Sequence, residues 1–243
     1  MSSSQANEIN RLYEPEYHAN WELATLYDLA EWKNGLAFKN ICFSDSGKPI
    51  IKIAELKNGI TEQTKFTKDN FDESVYLTKG DMVFSWSGNP ETSIDVFWYD
   101  LPEGWLNQHI FKISVKDKVD RGFFFYILKY LKPNFTAIAT NKQTTGLGHV
   151  TIGDLKNMKV RLPLLTEQNS IAKTLSCLDN KIELNNQITK SLEEIAQAVY
   201  KSWFVDFESF QDSEFEDSEL GMIPKDWKVG VLDDVIELFD SKR

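Results

Sequence analysis

Three histidines and two cysteines are the only residues of those kinds in a chain of 243. His18, His109 and His149 show no metal-ligand spacing, and each reads as a surface or hydrogen-bonded core histidine. Cys42 and Cys177 lie far apart and form no C-x-x-C pair. Also missing are the G-x-x-x-x-G-K-S/T phosphate loop, the G-x-G-x-x-G turn and the H-E-x-x-H helix. Ser85, Ser87 and His109 have no acidic orienter or nucleophile-elbow context. These absences argue against a hydrolase, nuclease or methyltransferase that works alone. No apolar run approaches the ~20 residues a membrane helix needs. The phenylalanines at 123–125 lead straight to Lys129, Tyr130 and Lys132 and read as core. With no basic-plus-apolar leader, the expected compartment is the cytoplasm, without a membrane partner.

Positive charge is also scarce, 27 lysines and arginines against 37 acidic residues, for a formal net charge of −10. Phosphate neutralisation carries much of nucleic-acid affinity, so this balance opposes such a partner at first sight. Its distribution weakens the objection, because residues 206–243 hold 12 acidic and 4 basic side chains and leave the body close to neutral. A neutral body with an acidic tail has room for a local basic face.

The most ordered stretch is 166–207. Apolar residues recur there in alternating steps of four and three, at Ile171, Leu175, Leu178, Ile182, Leu192, Ala196, Val199 and Trp203. The two intervening seam positions are Asn185 and Thr189, and polar seam residues fix register at some loss of stability. A helix of ~40 residues spans roughly 60 Å, too long for one small domain to bury. It needs a partner helix. Cys177 falls off the seam and reads as an inert thiol.

Before that helix, residues 1–20 are polar and aperiodic, an arm. Residues 21–32 have Leu23, Leu26, Leu29 and Ala30 at helical spacing before Asn34-Gly35, which predicts a short helix. Short β-branched and aromatic segments at 50–53, 74–77, 82–86, 94–99 and 110–115 alternate with glycine-containing turns and predict a mostly β domain over 21–165. A helix is expected at 121–131, stopped by Pro133, then a polar loop at 141–148 and a strand at 160–165. The fold class is therefore α+β, a mostly β domain with flanking helices followed by a long coiled-coil helix. Residues 208–226 are acidic and aperiodic, a linker by composition. Residues 227–238 then line up on 21–32 at an offset of 206, with Trp227 on Trp21, Leu232 on Leu26, Asp234 on Asp28 and Glu237 on Glu31. The segment 227–243 reads as the start of a second copy of the first domain.

Three polar stretches suit contacts to bases and phosphates, since amide side chains pair bidentately with adenine and cations with guanine or phosphate. They are Ser85, Trp86, Ser87 and Asn89; Asn107, Gln108 and His109; and Asn141, Lys142, Gln143, Thr144 and Thr145 running on to His149. The plainer account of each is a solvated turn.

The stretch 162–187, LPLLTEQNSIAKTLSCLDNKIELNNQ, resembles the specificity subunits of type I restriction-modification systems in its strand ending in proline, its Glu167-Gln168 pair and its isoleucine, leucine and aspartate helix. Gly80-Asp81, the segment 85–88, Asn107-Gln108-His109, the approach at 146–155 and SLEEIAQAVYKSWFVDF at 191–207 are similar as well. The resemblance implies a non-catalytic, sequence-specific reader of double-stranded DNA. It further implies two recognition domains joined by two antiparallel helices that set the distance between half-sites. Methyltransferase subunits and translocase-nuclease subunits would be the partners, holding S-adenosylmethionine, ATP and Mg2+, with no cofactor or metal on this chain. The single recognition domain and single long helix depart from that pattern. A second copy would restore the missing half as a two-fold homodimer paired through the helix. The rival reading, from a different class, is a coiled-coil assembly protein whose globular domain binds protein only.

Overall fold

The computed structural model describes residues 21–39, 43–143 and 146–237. The expected arm at 1–20 with His18, and Cys42, Thr144, Thr145 and residues 238–243, lie outside them. The chain divides into two units, 1–177 and 178–243.

The first unit opens with β1 (Glu22–Thr25) and β2 (Ala30–Asn34) around a single 3-10 turn, Tyr27–Leu29. The helix expected over 21–32 is therefore corrected to strand, turn and strand. Its apolar residues do not share one face: Leu26 and Leu29 are fully buried while Leu23 is exposed. Residues 22–25 pair instead with Lys159–Leu162, and the Leu26 N–H donates to the Met158 carbonyl at 2.8 Å. Long-range pairing overrides local spacing here.

Next come β3 (Lys48–Ile51), α1 (Ile53–Asn58), β4 (Phe66–Thr67), β5 (Tyr76–Leu77), β6 (Met82–Ser85) and β7 (Ser87–Gly88). Then follow α2 (Pro90–Ser93), β8 (Asp95–Trp98), β9 (Gly104–Leu106) and β10 (Ile110–Val115). The segment 50–53 reaches only to Ile51 as a strand, because Ile53 starts α1. Two helices, α3 (Arg121–Tyr130) and α4 (Lys132–Asn141), follow. Pro133 does not end the helical region; it lies in the first turn of α4, where a missing N–H removes no helical bond. Asn141 is thus the last residue of α4 rather than the start of a loop. The unit continues through β11 (Gly148–His149), α5 (Ile152–Asn157) and β12 (Lys159–Leu162) into α6 (Leu165–Tyr200).

Two four-stranded sheets organise these elements, one antiparallel in the order β2-β10-β6-β8 and one mixed in the order β4-β3-β9-β5. The first sheet is buried on both faces. Met82, Phe84, Phe111 and Ile113 meet Phe123, Phe124, Phe125 and Phe135 of α3 and α4. Val83 and Ile110 turn the other way, toward Ile51, Leu77, Trp105 and Leu106. That is why 82–84 reads as an unbroken apolar run with no alternation.

Helix α6 contributes Gln168 and Ala172 to the first unit's interior; Leu175 is half-buried, and from Leu178 onward the seam is exposed. In the second unit the helix gives way to a π turn, Lys201–Val205, and Phe207 takes a left-handed conformation at φ 52°. The connector expected at 208–226 is corrected in part: it holds a hairpin, β13 (Phe215–Ser218) with β14 (Gly221–Pro224). Composition hid it because few apolar side chains suffice; Ile223 is buried and Phe215 packs on Phe207 at 6.0 Å. Trp227 packs on Phe204, Phe207 and Phe210. A 3-10 turn at Leu232–Asp234 falls, at the offset of 206, on Leu26–Asp28, one residue from the turn at Tyr27–Leu29. Among the described residues no helix is long and apolar enough to cross a membrane.

Candidate nucleic-acid interface

The three polar stretches, separated by up to some sixty positions in sequence, come together at one end of the antiparallel sheet. Strand β7 pairs with β11, setting Gly88 opposite Gly148 and Ser87 opposite His149. The Val150 N–H donates to the Trp86 carbonyl at 2.8 Å and the Trp86 N–H to the His109 carbonyl at 3.2 Å. Trp86 is thereby bonded to His109 of the second stretch and to Val150, the residue that follows the third. Its ring lies 5.6 Å from that of His109 and stacks on Phe111 at 5.7 Å.

Glycine makes this convergence feasible at two positions. A Cβ on Gly148 would sit 2.3 Å from the Ala139 carbonyl oxygen, so only hydrogen lets the strand lie against α4. Gly88 has φ +124°, a conformation that L side chains rarely adopt.

The candidate residues divide by what already occupies them. Ser85 is fully buried and its Oγ donates to the Ser93 carbonyl at 2.5 Å, so it holds the turn and presents nothing outward. The Asn89 Oδ1 accepts from the Glu91 and Thr92 N–H groups at 3.1 Å, capping α2. Asn107 is buried and accepts weakly from the His109 N–H. The Lys142 Nζ reaches Asp154 at 2.5 Å, and Asp154 also accepts from the Thr151 N–H at 2.7 Å, closing the N-terminus of α5. Burial works against the Asp154 charge, but bonds from Lys142 and Thr151 outweigh it and hold the carboxyl below its ordinary value. These four residues build the platform.

Trp86, Ser87 and His149 are partly exposed, and His109, Asn141 and Gln143 are exposed. Gln108 Nε2 lies 3.3 Å from His109 Nε2. This set is the outward-facing surface. Thr144 and Thr145 lie outside the described residues. Sequence reading missed Asn34, whose Oδ1 accepts from Trp86 Nε1 at 3.0 Å and fixes the indole plane. Read locally, Asn34-Gly35 is only a breaker, and the pairing of Phe111 with Asn34 across β2 and β10 is not legible from the segment alone.

A ring edge, imidazole and amides on a rigid support offer donors, acceptors and stacking faces to nucleotides. Among the described residues no group of three or more histidine, cysteine, aspartate or glutamate side chains is placed to hold a metal ion.

Comparison with known proteins places the chain in a family. Residues 18–194 match the family model described as the type I restriction modification DNA specificity domain. The chain is 31% identical over 195 residues to the MjaVIII type I restriction enzyme specificity subunit of Methanocaldococcus jannaschii, covering 80% of this chain and 43% of that protein. It is 27% identical over 233 residues to the EcoBI specificity subunit of Escherichia coli, covering 90% and 47%. Among solved structures, the type I S subunit from M. genitalium aligns with a TM-score of 0.57 at 21% identity, over 79% of this chain and 48% of that one. The HsdS subunit from Thermoanaerobacter tengcongensis aligns at 0.52 and 16% identity, covering 83% and 52%. The chain spans about half the length of the curated relatives it matches. With the family model covering most of the chain and the mixed fold and long helix matching solved subunits, this chain belongs to the type I restriction modification DNA specificity family.

Proposed function

We propose that the chain reads one half of a split double-stranded DNA target within a type I restriction-modification complex, without catalysing a reaction itself. The carrying observation is the convergence of the polar stretches around the β7–β11 pair, with Trp86 bonded to His109 and Val150. Gln108, His109, Asn141, Gln143 and His149 would face the bases and backbone, with Ser85, Asn89, Asn107 and Lys142 supporting them. Methyltransferase subunits would dock on the chain, and translocase-nuclease subunits would join the assembly. S-adenosylmethionine, ATP and Mg2+ would then belong to those partners. Exposed seam residues of α6 support pairing with a second copy. Two identical domains related by a two-fold axis read a split palindrome.

The test is selection from a random duplex library, followed by titration of the enriched duplex across salt concentrations. A selected split motif with a negative slope of log affinity against log salt supports the reading. No enrichment, with affinity indifferent to salt, overturns it. Duplex incubated with the chain, Mg2+ and S-adenosylmethionine is expected to stay unmethylated and uncut, and either modification would refute the non-catalytic role.

A further inference from the structure

The Glu167-Gln168 pair is a sequence motif that base reading leaves without a task. Gln168 is 1% exposed, although it sits in the first turn of a helix that is otherwise mostly solvated. A buried primary amide is tolerated only where its donors and acceptor are matched. Here the Oε1 accepts from the Asp120 N–H at 2.9 Å, and the Nε2 donates to the Pro163 carbonyl at 2.9 Å and the Lys118 carbonyl at 3.2 Å. These partners lie on two separate segments. Lys118 and Asp120 form the approach to α3, with Asp120 capping that helix through a bond from the Phe123 N–H, and Pro163 lies between β12 and α6.

Contacts beside the amide reinforce the joint. A Cβ on Gly122 would lie 3.1 Å from the Ala172 Cβ, so α3 and the second turn of α6 are already in close contact. The Trp21 Nε1 donates to Glu167 Oε2 at 3.2 Å, tying the start of β1 to the same turn. An apolar side chain of similar volume would fill the space but leave the Asp120 N–H and the Pro163 and Lys118 carbonyls without this partner, so the amide contributes stability as well as orientation. The amide adds directionality, because its three bonds are satisfied at one orientation of the helix root.

We propose that Gln168 is a positioning residue that sets the direction in which α6 leaves the recognition domain, and through it the spacer length between the two half-sites. This rests on the split-target reading above. The lever is long. Over 36 residues, at about 1.5 Å each, a tilt of roughly 5° at the root moves the far end by ~5 Å, more than one base-pair step of ~3.4 Å. Small angular freedom at the root therefore translates into tolerance for a different spacer.

The experiment uses the full chain in wild-type form and as Gln168→Met and Gln168→Glu. The first variant removes all three bonds at similar volume. The second keeps an acceptor for the Asp120 N–H and loses both donations to carbonyls, which keeps the test valid should the Met variant be poorly folded. Wild-type protein first selects its split motif from random duplexes. All three proteins are then titrated against duplexes carrying those half-sites with spacers changed by one to three base pairs. The expected result is an unchanged half-site sequence and unchanged affinity for a duplex with one half-site, but a spacer preference that falls from at least tenfold to within about threefold between neighbouring lengths. A general loss of folding would weaken every duplex alike and leave the preference intact. Folded variants that keep the wild-type spacer discrimination overturn the clamp alone. Wild-type protein that selects no split motif overturns the proposed function and the clamp with it.

Discussion

Leu192 offers the most direct test of the helix seam. It is 60% exposed in the single chain, and Leu178, Ile182, Val199 and Trp203 on the same stripe are 43% to 59% exposed. Burying a whole leucine side chain contributes ~1.5–3 kcal/mol, so burying the exposed portion contributes about 1–2 kcal/mol. An isologous interface uses each residue twice, which doubles the effect of one substitution. Leu192→Ala is therefore expected to weaken self-association by ~2–4 kcal/mol, roughly 30- to 700-fold in Kd. Gln187 lies off the seam and bonds only to Glu183 along its own helix, at 2.8 Å, so Gln187→Ala serves as the control and should leave association unchanged. Sedimentation equilibrium over a range of concentrations measures both. A 28.0 kDa chain that pairs gives a species of about 56 kDa, shifted toward monomer by the leucine variant. Wild-type chain that stays monomeric at tens of micromolar, or a leucine variant that associates as well as the control, would refute the pairing argument.

Other perturbations probe the candidate surface and its supports. Trp86→Ala removes the stacking on Phe111 and the bond to Asn34, and is expected to lower affinity for the selected duplex at least tenfold with little change in far-UV circular dichroism. Gly148→Ala drives a methyl group into the Ala139 carbonyl and should cost about 1–3 kcal/mol of stability, read as a lower melting temperature, with loss of duplex binding. The Asp95 carboxyl is opposed by burial but held below its ordinary value of 3.8 by Lys132 and Lys129, at 2.6 and 2.9 Å. The unfolded chain thus binds that proton more readily, so the stability Asp95 contributes is whole above the unfolded-state value and is lost as pH falls through the lower folded one. Melting temperatures measured from pH 6 to pH 2 should fall less steeply at the acid end for Asp95→Asn than for wild type; parallel curves would remove Asp95 from the account.

Elements whose signal is local were legible from the residues alone. The seam from Ile171 to Trp203 announces a long helix, because a period near 3.5 sustained over thirty residues has no other regular solution, and α6 runs from Leu165 to Tyr200. Strands β6, β8 and β10 were visible from β-branched and aromatic runs between turns, and the mixed α+β class followed. The three polar stretches were also nameable, as the hydrophilic breaks in an apolar body. Long-range pairing settled the rest. Residues 21–32 have helical spacing, yet β12 and β10 claim them as strands, since sheet hydrogen bonds and the burial of Leu26 and Leu29 outweigh a weak local preference. Helix α4 begins with Lys-Pro-Asn and shows no strong apolar face, so Phe135 and Ala139 find their places only against a core already built. The division of the candidate surface into bonded supports and outward-facing groups was likewise invisible in sequence. Ser85, Asn89, Asn107 and Lys142 have the same chemistry as their neighbours, and only the folded chain shows that a carbonyl, a helix end, a turn and Asp154 have already taken their hydrogen bonds. Sequence by itself determined which groups are available; tertiary structure decided which of them remain free, because a hydrogen-bonding group spent inside the fold has nothing left to offer a ligand.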